Sequence, residues 1–155
     1  MLPHELLEAL QQLGSDEVLN DLDGMDPKTL SHLKSCEAKA GCKLLAWGLW
    51  GDDVPCNFDR TESIFTISIN LPGQSGEFRT MRLPIVCIAA KQVCEYTHYD
   101  MMEVIQHSAK AAATGVRMTE RHDKQPWRKE DSIRKRLAQE EPHVVRAALC
   151  EVRGD

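Results

Sequence analysis

The sequence predicts an α+β fold. It consists of a small, mainly antiparallel sheet around a hairpin at about residues 63–88, covered by helices at about 4–40, 98–114 and 127–152. Two observations carry the hairpin and one carries the helical cover. Phe65, Ile67, Ile69 and Leu71 alternate with Thr66, Ser68 and Asn70, the period of a half-buried strand. Met81, Leu83, Ile85 and Cys87 alternate with Arg82 and Pro84, and Pro72-Gly73-Gln74-Ser75-Gly76 lies between the runs as a turn. Met101, Val104, Ile105, Ser108, Ala109 and Ala112 recur at helical spacing. A three-helix bundle with an appended hairpin is the alternative architecture.

The chain begins with three expected short helices. Pro3 suits a first helical turn, where its missing N–H costs nothing, and Gly14 suits the stop. Ser15 caps a second helix through Val18, Leu19 and Leu22 to Gly24. Asp26-Pro27 opens a third, with Leu30 and Leu33 on its apolar face, running up to Gly41. Lys43–Trp50 reads as a strand, since Gly41 precedes it and Gly48 disfavours a helix. Gly51–Asn57 reads as a loop, with the hairpin after it. Pro84 cannot donate to a ladder, so the second hairpin strand belongs at an edge or breaks there. Parity turns Cys87 into the apolar face. Thr97, with Asp100 three residues on, caps the next helix, which Gly115 ends. Pro126-Trp127 opens a charged helix to about Glu141, with Glu130–Arg134 and Asp131–Lys135 as pairs of about 0.2–0.5 kcal/mol each. Pro142 interrupts it, and Val144, Val145, Ala148, Leu149 and Val152 form a last amphipathic turn or two.

At 155 residues the expectation is a single domain, 1–155, with a helical N-terminal segment (1–42) and a charged C-terminal helical segment (127–153). A chain of this length buries roughly 68–70% of its unfolded surface, enough for a core without disulfides. The first residues lack the basic start and apolar run of a signal peptide, and no stretch approaches the ~20 apolar residues of a membrane span. An intracellular, soluble protein is expected, with the six cysteines reduced.

The net charge of −5 argues against uniform affinity for nucleic acid, but charge is unevenly spread. Residues 117–139 hold eight basic side chains against four acidic ones, an excess of four. Lys and Arg there could neutralise phosphates, and Trp127 could stack on a base. The competing reading is a solvated helix laced with salt bridges and pinned by Trp127.

Other constellations are weaker. Gly51-Asp52-Asp53 could hold Mg²⁺ through paired carboxylates, but aspartates belong in turns for local reasons. Cys36, Cys42, Cys87, Cys94 and His98 lack the tight spacing of a zinc site. His122-Asp123 with Cys56 or Cys94 could form a base and nucleophile, yet nothing in the spacing ties them together. Asp21–Asp26 lacks the distant glutamate of a calcium loop.

Leu49-Trp50-Gly51-Asp52-Asp53-Val54-Pro55-Cys56, Leu71-Pro72-Gly73, Pro84-Ile85 and His122-Asp123 with Pro126-Trp127-Arg128 form a pattern over about residues 47–135. It resembles a multi-copy family of predicted algal and protist proteins of no known activity. The copy number of that family implies descent from a mobile element. The resemblance transfers no catalytic residue.

The functional expectation is a non-catalytic intracellular protein-interaction module without cofactor or metal. Its surface would be formed by Arg117, Arg121, Lys124, Trp127, Arg128, Lys129, Lys135 and Arg136. One alternative is a nucleic-acid-binding accessory protein of a mobile element, using the same residues. Another is a small metal-dependent enzyme using Asp52 and Asp53.

Overall fold

Four strands, β1 (Leu45–Pro55), β2 (Ser63–Asn70), β3 (Leu83–Ala89) and β4 (Ala147–Gly154), form one sheet in the order β3-β2-β1-β4. β1 pairs antiparallel with β2, and β2 with β3, while β4 joins β1 in parallel. Among the described residues four α-helices accompany the sheet: α1 (Pro3–Leu13), α2 (Pro27–Ala40), α3 (Thr97–Thr114) and α4 (Ser132–Glu140). The fold is α+β. The computed structural model describes residues 1–14, 21–59, 61–73 and 82–154.

Helix boundaries follow local chemistry. Asp26 Oδ1 accepts hydrogen bonds from the Lys28 and Thr29 N–H groups at 2.9 and 3.2 Å, satisfying donors that α2 leaves open. Gly41 and Gly115 end α2 and α3 at φ 67° and 72°, a conformation that costs glycine little. In α1 the Glu5 carboxylate reaches back to the Leu2 N–H at 2.8 Å.

The sheet is covered on both faces. On one, Leu45, Trp47 and Leu49 of β1, Ile67 and Ile69 of β2 and Ala147 of β4 pack with Leu7 of α1 and with Ile105 and Ala112 of α3. On the other, Leu33 of α2 packs with Leu44, Ala46, Ala148 and Met25. Trp47, Leu7, Leu33 and Ile69 are fully enclosed. Each such side chain contributes about 1.5–3 kcal/mol on burial. Phe65, Leu71 and Ile85, as the strand alternation required, and Ala109, as the helical spacing required, pack on the first cluster while half-buried.

Several expectations change. Residues 147–154 form β4, not amphipathic helix turns. β1 is buried on both faces over Leu45–Leu49, so the β1 side turned away from β2 needs its own hydrogen-bond partner. A doubly buried parallel strand reads as a continuous apolar run, which periodicity cannot separate from a short helix. Gly51–Pro55 belongs to β1 rather than to a loop, paired in register with Ser63–Ile67. Cys87 is exposed, because β2 and β3 shift register between Ile67 and Ser68. Ser68 faces Pro84 and Ile67 faces Val86, so Ile85 is the extra residue and every later side chain swaps faces. Val86 and Ile88 therefore lie opposite Ile67 and Phe65. Pro84 does sit on an edge strand.

Thr97 makes no capping box. Its hydroxyl accepts from the Cys94 N–H at 2.9 Å, and Tyr96 occupies the cap position. The charged helix starts at Ser132 after a 3-10 turn over Lys129–Asp131, not at Pro126-Trp127. Across that tighter turn Asp131 pairs with Arg134 at 2.9 Å rather than with Lys135, and within the helix Arg136 pairs with Glu140 at 3.5 Å. The helix expected to reach Gly24 gives way to a turn at Asp23-Gly24. Its part over 15–20, and the hairpin turn beyond Gly73 with Met81, lie outside the described residues.

Candidate functional site

The basic segment leaves the C-terminus of α3, turns through residues 116–128 and enters α4. Its arginines are sorted by the acids of α1. Arg117 is 6% exposed. Its Nη2 donates to both Glu8 oxygens at 2.8 and 2.9 Å, and its Nε donates to the Glu141 carbonyl at 2.9 Å. Arg134 donates to Glu5 from Nε and Nη2 at 2.6 and 3.2 Å and to Asp131 from Nη1 at 2.9 Å. Burial raises the Glu5 carboxyl, but hydrogen bonds from Arg134 and the Leu2 N–H outweigh it and hold the group below its ordinary value. Arg121 pairs with Asp123 at 2.8 Å.

Four of the expected binding residues, Lys124, Arg128, Lys129 and Lys135, are exposed, and so is Arg136, which pairs with Glu140. Arg117 lies inside, as a clamp between α1 and the end of α3. Trp127 is half-buried with the Arg134 guanidinium 5.9 Å from its ring centre. Its indole N–H is closed off from solvent without an acceptor. Trp127 also contributes to a cavity of about 230 Å³ with Val104, His107, Arg121, His122 and Arg134.

Beside this region α1 and α3 are joined by His4 and Ser108, both buried. The Ser108 Oγ accepts from the His4 N–H at 3.0 Å and lies 2.8 Å from His4 Nδ1. Burial, with smaller contributions from Arg117, Arg134 and His107, lowers the His4 pKa to about 4 against a partial rise from Glu5. The neutral ring and the hydroxyl are hydrogen-bonded to each other, and the pair acts as a buried strut.

Asp52 and Asp53 are consecutive in β1, opposite Thr66 and Phe65, so their side chains leave opposite faces of the sheet and cannot share one ion. Among the described residues no three His, Cys, Asp or Glu side chains assemble as a metal site. His98 packs edge-on against Phe65 with ring centres 4.8 Å apart. Cys94 is exposed, and the Thr97 hydroxyl, 3.1 Å away, together with the Tyr96 and Thr97 N–H groups, lowers its thiol pKa.

Two features lie outside the sequence expectations. One is the pairing of Glu5 and Glu8 with residues more than a hundred positions away, for which nothing local gives a signal. The other is the outer face of α3, where Tyr99 is 74% and Met102 46% exposed, with Tyr96 64% exposed before them. That face was legible, since Tyr99, Met102 and Gln106 fall off the core stripe of Met101, Ile105 and Ser108. A polar cleft of about 260 Å³ lies apart from both, between Met25, Asn70, Arg82 and Glu151. Among the described residues no helix is long and apolar enough to cross a membrane. No family, no curated protein and no solved structure matches the chain.

Proposed function

We propose that the chain is a non-catalytic, intracellular protein-interaction module, and that a protein partner covers the outer face of α3. One observation carries this reading: Tyr96 at the cap of α3, and Tyr99 and Met102 on the helix after it, stand exposed at three-residue spacing. Tyrosine and methionine are enriched in protein interfaces, and large apolar side chains gain free energy when covered. The surface differs from the one the basic residues suggested, because α1 neutralises part of that segment.

A photo-crosslinker at Glu103, beside the stripe, tests the reading. The expected result in cell extract is one saturable protein adduct. It is lost when Tyr96, Tyr99 and Met102 are all changed to Ser, and absent when the crosslinker sits at Lys34 on α2. Such surface changes should move stability by no more than about 0.5 kcal/mol each. No adduct, or an adduct that survives the triple change, refutes the proposal.

A second reading, a nucleic-acid-binding accessory role, rests on the exposed Lys124, Arg128, Lys129 and Lys135. It requires affinity that falls with salt by about one logarithmic unit of slope per phosphate contact. Equal binding by wild type and the Lys129→Glu, Lys135→Glu double variant would eliminate it.

A further inference from the structure

We propose that the cavity between α3, the 121–128 turn and α4 is a binding site for a small phosphate monoester. The site is separate from the outer face of α3 and does not depend on the interaction reading.

Donors outnumber acceptors in the cavity wall. The cavity wall holds three arginines, Arg121, Arg128 and Arg134, and one carboxylate, Asp131. Arg134 gives one N–H from each of its three nitrogens to Glu5 and Asp131. Arg121 commits Nη2 to Asp123, which leaves N–H groups on its other nitrogens. The side chains of Arg128 and His122 have no partner among the described residues. The three arginines and the carboxylates of Glu5, Asp123 and Asp131 that pair with two of them sum to zero, so net charge does not define the ligand. Unpaired N–H donors define it: the wall has many, and few acceptors to match. A ligand that completes the set brings several acceptor oxygens and no donors of its own, which describes a phosphate group. Guanidinium forks match its geometry better than ammonium groups would.

The rest of the wall sets the organic part. Leu2, Val104 and the Trp127 ring supply apolar surface beside the donors. A space of about 230 Å³ equals roughly seven or eight waters at ~30 Å³ each. It lies below the ~300 Å³ at which pockets begin to take drug-sized ligands. A phosphate with a single small ring or short chain fits these limits, and a dinucleotide does not.

The test uses the indole N–H resonances of the full-length protein. There are three tryptophans, and Trp127→Phe identifies the signal of Trp127. Phenyl phosphate, inorganic phosphate and phenol are titrated separately. Phenyl phosphate is expected to shift the Trp127 signal saturably at low millimolar concentration, with inorganic phosphate weaker and phenol without effect. Arg128→Gln, an exposed position that leaves packing intact, and His122→Gln should each weaken phenyl phosphate binding by about tenfold or more. Lys34→Gln on α2 should leave it unchanged. No saturable shift, equal binding of phenol, or full affinity in the Arg128→Gln protein overturns the proposal. Inorganic phosphate binding as tightly as phenyl phosphate overturns the assignment of a monoester.

Discussion

Acidification should destabilise this fold through His4 before its carboxylates titrate fully. His4 is buried, is hydrogen-bonded to the Ser108 hydroxyl, and keeps a folded pKa of about 4 against an ordinary 6.5. Folding therefore excludes a proton that the unfolded chain takes up. A lowered folded pKa means the contribution is complete above the unfolded value and is lost as pH falls through the window from 6.5 to about 4. At about 1.4 kcal/mol per tenfold change in proton affinity, the loss across that window is about 3 kcal/mol. Glu5, itself held low, adds an acid loss of its own in the lower part of the range. The assay is urea unfolding from about pH 7.5 down to about pH 4, comparing wild type with His4→Gln, which removes the titration and keeps a polar side chain. The wild type should lose about 3 kcal/mol more than the variant across the window. Parallel profiles for the two proteins would refute the reasoning, because Glu5 titrates in both. Breaking the strut without charge, by Ser108→Ala, should lower stability at every pH and leave the slope in place.

Truncating Ile67 or Ile105 to Ala should cost about 2–5 kcal/mol in chemical unfolding, since both side chains are enclosed between sheet and helices. A loss below about 0.5 kcal/mol at either site would place it on the surface. Arg117→Met should destabilise by about 3 kcal/mol by leaving Glu8 without its partner, and Glu8→Gln in the same chain should recover part of that loss. Additivity in this double-mutant cycle would show that the pair is not coupled. In alkylation followed by mass spectrometry near neutral pH, Cys94 should react first and Cys150 last. The Thr97 hydroxyl holds the exposed Cys94 thiol low, while burial pushes Cys150 up to about 11.

Reach along the chain separates what the sequence states from what the fold decides. Elements whose evidence lies within a few residues were legible: the Asp26-Pro27 start of α2, the glycine stops at 41 and 115, the alternation in β2 and the helical stripe of α3. Caps, turns and amphipathic periods are enforced by hydrogen bonds and burial between near neighbours, so the chain states them directly. What depended on distant partners was decided only in three dimensions. Residues 147–154 became a strand because β1 offered an open, buried side for pairing. Cys87 changed faces because one bulge at Ile85 reversed the parity of everything after it. The basic segment shows an excess of four charges along the chain, yet α1 brings Glu5 and Glu8 onto Arg134 and Arg117 from the opposite end of the sequence. A run of charge fixes composition, but whether it meets solvent or a carboxylate depends on which helix packs beside it. That packing is set by the burial of Leu7 against the sheet and by the His4–Ser108 strut.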